Sequence, residues 1–226
     1  MREELLRKLR ERKNLQVALD LTNIQDAVRI AQKAIDAGAD IIEAGTPLIK
    51  AEGYRGLRTL RENIGNKVLL ADMKTADAGD IEVEIAKIGG SDIITVLGIM
   101  DDSTIEIAVK KARENEMLVE ADLINVKDVV QRSKELRDLG VDIIGLHVGI
   151  DVQRKRGITV AELHEEIKEI SRLGVLVSVA GGLNSSNIIN LINLPINIYV
   201  VGSAITRSRD PYASTLEIVK IIKGMK

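Results

Sequence analysis

Six side chains of this chain are of types that do acid, base or metal chemistry, and each stands at the end of a short apolar run: Asp20, Glu43, Asp72, Lys74, Asp122 and His147. Asp72 and Lys74 are two residues apart, so on a strand they point to the same side, and a charged pair there is tolerable only facing an open, wet end. Each acid taken alone reads equally well as a cap on the helix that follows. Six polar positions converging on one place is a different matter. Carboxylates gathered there repel one another by about 1 to 4 kcal/mol per close pair, depending on the local dielectric. Cationic charge must compensate. Lys74 supplies one unit, and a hard divalent cation held by oxygen, Mg²⁺, is the natural second, with Glu43 and Asp72 as its preferred ligands. The chain has two histidines, and His164 falls in a helical stretch, which excludes a histidine-rich zinc site. His147 ends the run DIIGLHVG, where a base is useful, since imidazole as a residue type exchanges protons near neutral pH.

The elements that must position these groups follow an eightfold rhythm. Apolar runs at 15–20, 39–45, 67–74, 92–98, 117–124, 142–149, 175–182 and 198–204 alternate with helical stretches at 24–37, 52–63, 80–88, 103–115, 127–139, 159–173, 184–193 and 212–223. Asn23, Ser103, Thr159 and Asn184 are the expected N-caps. Eight even βα units in 226 residues predict a single-domain α/β protein, a (β/α)8 TIM barrel over 14–226, with residues 1–13 as a short extra N-terminal helix plugging the barrel bottom. A flavodoxin-like open sheet is the alternative. In a barrel the C-terminal ends of the strands form the open face, which is where the six residues fall. The last two strands end in glycine turns, VAGGLNSSN at 179–187 and VGSAIT at 201–206. Gly181, Gly182 and Gly202 are either ordinary turn glycines or a backbone cradle for a phosphate, a recurrent use of these two loops.

Composition narrows the classes. A net charge of −2 with dispersed basic residues excludes the electrostatic footprint of a nucleic-acid binder, and no apolar run approaches the ~20 residues of a membrane span. The absence of cysteine removes disulfides, thiolate metal sites and a thiol nucleophile. MREELLRKLRERK at 1–13 is too densely charged for a secretory signal, so a cytoplasmic location is expected.

Seven motifs, LQVALD (15–20), GTPLIKAEG (45–53), DMKTADAGDIE (72–82), TVLG (95–98), HVGIDVQ (147–153), VAGG (179–182) and VGSAIT (201–206), resemble in sequence and order the orotidine-monophosphate decarboxylase superfamily, from Leu15 to the end of the chain. The Asp-x-Lys-x-x-Asp element is shared by the whole superfamily. The orotidine-monophosphate decarboxylases carry lysine where this chain has Glu43, so the resemblance is to the Mg²⁺-dependent branch, the 3-hexulose-6-phosphate synthase family and its sister 3-keto-L-gulonate-6-phosphate decarboxylases. Asp122, Ile150, Ala180 and Ser203 stand where the sister family has Glu, Arg, Thr and Arg, which favours the synthase. Ala44, Ser203 and the extra acid Glu120 depart from its usual pattern.

The resemblance implies a reversible, Mg²⁺-dependent aldol condensation of D-ribulose 5-phosphate with formaldehyde through an enediolate. It implies Glu43 and Asp72 as metal ligands, and Lys74, His147, Asp77 and Asp122 as catalytic. Asp20, Gln153, Gly181, Gly182, Gly202 and Ser203 are the implied substrate-binding residues. A homodimer is expected in which Asp77 reaches the neighbour's site. The alternatives are the sister decarboxylation and a non-catalytic phosphosugar-binding barrel.

Overall fold

A computed structural model describes residues 2–157 and 160–225. Among them are eight strands: β1 (Asn14–Leu19), β2 (Ile41–Ala44), β3 (Val68–Thr75), β4 (Ile93–Leu97), β5 (Leu118–Asp122), β6 (Ile143–His147), β7 (Leu176–Ala180) and β8 (Ile198–Val201). They pair in parallel in chain order, and β8 closes on β1. The helices are α1 (Arg2–Glu11), α2 (Ile24–Asp36), α3 (Thr46–Ile64), α4 (Gly79–Ile88), α5 (Asp102–Glu114), α6 (Val129–Asp138), α7 (Ile150–Arg156), α8 (His164–Ser171), α9 (Ser185–Ile188), α10 (Ser203–Thr206) and α11 (Pro211–Lys223). The protein is a single-domain (β/α)8 barrel, as the alternation of runs predicts, and the open-sheet alternative falls.

Odd and even strand positions divide the core in two. Outward residues such as Val17, Ile42, Leu69 and Ile94 pack under the helices. Inward residues Ile41, Leu70, Ile93, Leu118, Ile143 and Leu176 fill the lower barrel, and Leu9 of α1 packs against them from below. Buried Asn14 fixes that plug, its amide donating to Leu9 O at 2.9 Å and Asn197 O at 3.0 Å. A repeated device starts the even strands. Asp40, Asp92, Asp142 and Asn197 each accept the N–H of a residue on the preceding odd strand, Leu15, Leu69, Val119 and Val177, at 2.8–3.0 Å.

Several local expectations are corrected. Asp101, not Ser103, caps α5: its carboxylate accepts both the N–H and the hydroxyl of Ser103, so the Ser103 hydroxyl is turned back to the cap instead of acting as one. Thr159 lies outside the described residues. The helix expected at 159–173 resolves into a 3-10 turn over Val160–Glu162 followed by α8. The helix expected at 52–63 begins at Thr46, with a kink at Gly53 that only a residue without Cβ takes at low cost (φ 62°). The one expected at 184–193 ends at Ile188. Two short helices in the βα loops, α7 and α10, are too brief for periodicity to show.

Candidate active site

The upper inward positions turn polar and surround a cavity of about 600 Å³ at the barrel mouth. Strand β3 delivers the central pair. Its pairing with β4 shifts register between Ala71 and Thr75, and Lys74 adopts a left-handed backbone (φ 49°). This strain at a strand end is held by the Lys74 N–H donating to Thr95 Oγ1 at 2.9 Å.

Asp72 accepts four hydrogen bonds: Thr95 and Thr46 hydroxyls donate to it at 2.8 Å each, and Lys74 Nζ donates to both its oxygens at 2.9 and 2.8 Å. Lys74 Nζ also donates to Asp122 Oδ2 at 2.9 Å. Burial alone would weaken the ammonium's hold on its proton, but the Asp72 and Asp122 charges raise it well above the ordinary lysine value. Burial likewise opposes ionisation of Asp122, yet His147 and Lys74 hold its carboxyl far below the usual range. His147 Nδ1 lies 2.9 Å from Asp122 Oδ2. A carboxylate at Nδ1 sets the tautomer with the proton there, leaving the basic lone pair on Nε2.

Burial, then Asp72 and Asp20, raises the Glu43 carboxyl well above its normal value, while Gln16 donates to Glu43 Oε2 at 2.7 Å. At the rim, Asp20 is shifted up by desolvation and then by Asp72, against the opposing charges of Lys74, His147 and Arg207. Five acids, Asp20, Glu43, Asp72, Glu120 and Asp122, thus line one cavity in which Lys74 is the inner cation.

That imbalance fits a divalent cation. Among the described residues no three His, Asp or Glu side chains form a closed cage for an ion. Mg²⁺, however, is characteristically held by one or two carboxylates with water and substrate in its other positions. Glu43 and Asp72 would supply the two carboxylates, and beside them Gln16 Oε1 is a buried acceptor without a hydrogen-bond partner among the described residues.

The opposite wall is backbone. Gly181, Gly182, Gly202 and Ser203 all line the cavity. Gly181 sits at φ 119°, and a Cβ there would lie 2.4 Å from Val148 O, so no other residue fits this turn. Gln153 lines it too, with its amide donating to Val148 O at 2.6 Å. Asp77 does not line its own chain's cavity: it is exposed, and its carboxylate accepts the Ala78 N–H at 2.8 Å. The sequence reading missed Gln16, Thr46 and Thr95, which orient the acids, and Arg154 and Arg207, which line the rim. Thr46 and Thr95 lie within quoted motifs. Arg154 sits on the short helix α7 and Arg207 at the end of α10, neither with a spacing signal.

The family model described as "Orotidine 5'-phosphate decarboxylase / HUMPS family" matches residues 13–218. The chain belongs to this family. A curated relative, the 3-hexulose-6-phosphate synthase of Staphylococcus aureus (strain USA300), is 36% identical over 210 residues, 93% of this chain and 99% of that protein. A crystal structure of 3-hexulose-6-phosphate synthase superposes with a TM-score of 0.88 at 39% identity, covering 92% of this chain and 99% of the other. The 3-keto-L-gulonate-6-phosphate decarboxylase of Vibrio cholerae is similar at 28% identity and TM-score 0.84, covering 95% and 99%. As a member of this family the chain is an enzyme of the lyase type. Its synthase relatives are the more similar of those compared, and Asp122, Ile150, Ala180 and Ser203, the positions on which the sequence resemblance favoured the synthase, all line the cavity. No described helix is long and apolar enough to cross a membrane.

Proposed function

We propose that the enzyme joins formaldehyde to D-ribulose 5-phosphate, reversibly and with Mg²⁺, giving D-arabino-hex-3-ulose 6-phosphate. The observation that carries the reading is the continuous chain His147–Asp122–Lys74–Asp72 beside buried Glu43. The substrate phosphate sits at the turns of Gly181, Gly182, Gly202 and Ser203, with Arg207 at the rim. Asp20 holds sugar hydroxyls. His147 Nε2 takes a proton from C1, and Asp122 holds the resulting imidazolium in place. Lys74, fixed as a cation by its two carboxylates, lies beside the oxygens on which enediolate charge develops, the kind of preorganised charge that contributes most in such sites. Mg²⁺, held by Glu43 and Asp72, supplies further positive charge for those oxygens when bound.

Sister decarboxylation is the second reading. Ile150 and Ser203 leave two cavity positions without the cations of that branch, although Arg154 and Arg207 stand nearby. A homodimer completes the proposal: Asp77 faces away from its own cavity, and Tyr54, Ile81, Ile99 and Ile107, on or beside adjacent helices α3, α4 and α5, are exposed. A cytoplasmic location goes with it, because a charged sugar phosphate stays on the side of the membrane where it is made.

The test runs formaldehyde consumption with ribulose 5-phosphate, with and without Mg²⁺, beside carbon dioxide release from 3-keto-L-gulonate 6-phosphate. Mg²⁺-dependent condensation exceeding decarboxylation is expected. Faster decarboxylation would install the sister reading, and neither reaction from folded protein would leave a binding barrel.

A further inference from the structure

The mechanism above leaves one buried acid unused. Glu120 is inward-facing on β5, two residues below Asp122, only 6% exposed, and lines the cavity. Its Oε1 accepts the Ser178 hydroxyl from β7, reaching across β6 at Gly145. Gly145 is required for that reach: a Cβ there would lie 2.6 Å from Glu120 Oε1 and 3.1 Å from Ser178 Oγ. Glu120 Oε2 is buried and has no partner among the described residues. Burial pushes this carboxyl up to about 7; Asp122 and Asp72 add to the rise, while the Ser178 bond and Lys74 oppose it.

An aldehyde that becomes bonded to the enediolate needs a hydrogen-bond donor, because its oxygen turns from carbonyl to alkoxide. The donors of the inner wall are committed. Thr46 and Thr95 give theirs to Asp72, Gln16 to Glu43, Ser178 to Glu120, and Lys74 to Asp72 and Asp122. On two cavity-lining residues a buried atom lacks a partner among the described residues, Gln16 Oε1 and Glu120 Oε2. An amide oxygen only accepts, so it cannot serve a carbonyl. A carboxylic acid can.

We propose that Glu120 is the general acid for the aldehyde half of the reaction, with Glu120, Ser178 and Gly145 forming a subsite for a small unhindered aldehyde. This rests on the condensation reading. As the C1 carbon of the enediolate bonds to the aldehyde carbon, the carbonyl π pair moves to oxygen and takes the Glu120 proton, leaving Glu120 as carboxylate and the aldehyde oxygen as hydroxyl. The proton that His147 took from C1 is released to solvent, and Glu120 is reprotonated from solvent, so the cycle closes without another reactant. The glycine at 145 makes room for the Glu120–Ser178 pair in the wall of the cavity, and the phosphate turns and the metal corner occupy the other walls, which directs the second substrate to this side.

The test separates the two halves. Exchange of the C1 hydrogen of ribulose 5-phosphate with deuterium oxide, without formaldehyde, reads the first half and also reports a folded site; formaldehyde consumption reads both. Glu120→Gln keeps a hydrogen bond but has no proton to give, and it should lower condensation about 10²- to 10⁴-fold, the usual worth of acid–base catalysis, while exchange stays within about threefold. In the wild type the ratio of condensation to exchange should fall as pH rises through about 7, since Glu120, faced by Asp122, Asp72, Lys74, Ser178 and, one layer up, His147, is neutral below that pH. Loss of exchange and condensation in parallel, no loss of either, or a pH-independent ratio would each overturn the proposal. Wild-type protein with neither exchange nor condensation would instead overturn the condensation reading on which it stands.

Discussion

The two ends of this barrel are built by opposite rules. At the bottom, most inward positions are Ile and Leu, sealed by Leu9 of α1, and acids such as Asp40, Asp92 and Asp142 are tied to strand amides. At the mouth, further up the same strands, five acids share one cavity and three of them, Asp20, Glu43 and Glu120, are pushed toward the neutral form. Burying charge without full pairing costs stability. The lower end supplies the stability that the upper end gives up for chemistry.

That contrast can be broken most forcefully at His147. His147→Gln removes the base on C1 and should lower kcat/KM about 10²- to 10⁴-fold, roughly 3 to 5 kcal/mol of transition-state stabilisation, with the melting temperature nearly unchanged. At the other end, Leu9→Ala opens a hole under the barrel. Chemical denaturation should read a loss of about 2 to 5 kcal/mol, with kcat/KM of the folded fraction intact. Activity lost in Leu9→Ala or stability lost in His147→Gln would dissolve the division. Mg²⁺ sharpens the comparison from the mouth alone: a cation at 100 times its Kd adds about 2.7 kcal/mol, so thermal scans should show a rise in Tm that Glu43→Gln abolishes. The smallest effect is expected at the rim, where Arg207→Ser should raise KM for the sugar phosphate about tenfold, worth about 1.4 kcal/mol, and leave kcat alone. A change in kcat instead would move Arg207 into the chemistry.

Where sequence reading succeeded, the signal was local and repeated. Alternating apolar runs and the strand-end positions of Asp20, Glu43, Asp72, Lys74, Asp122 and His147 are properties of short segments, and all six residues line the cavity. What stayed hidden depends on strands distant in the chain. The pairing of Glu120 with Ser178 joins residues 58 apart and shows only when Gly145 is seen between them. The left-handed turn at Lys74 arises from the pairing of β3 with β4, and α7 and α10 are shorter than the periodicity that would announce them. Arg207 belongs to no quoted motif; its place at the end of α10 brings it to the cavity.

The most direct measurement uses carbon-13 formaldehyde with ribulose 5-phosphate and Mg²⁺, followed by NMR. The label should appear as a hydroxymethyl carbon bonded to the former C1 of a six-carbon ketose phosphate, and should fail to appear with His147→Gln. Label that remains as formaldehyde hydrate, in the presence of folded wild-type enzyme, would contradict the condensation itself.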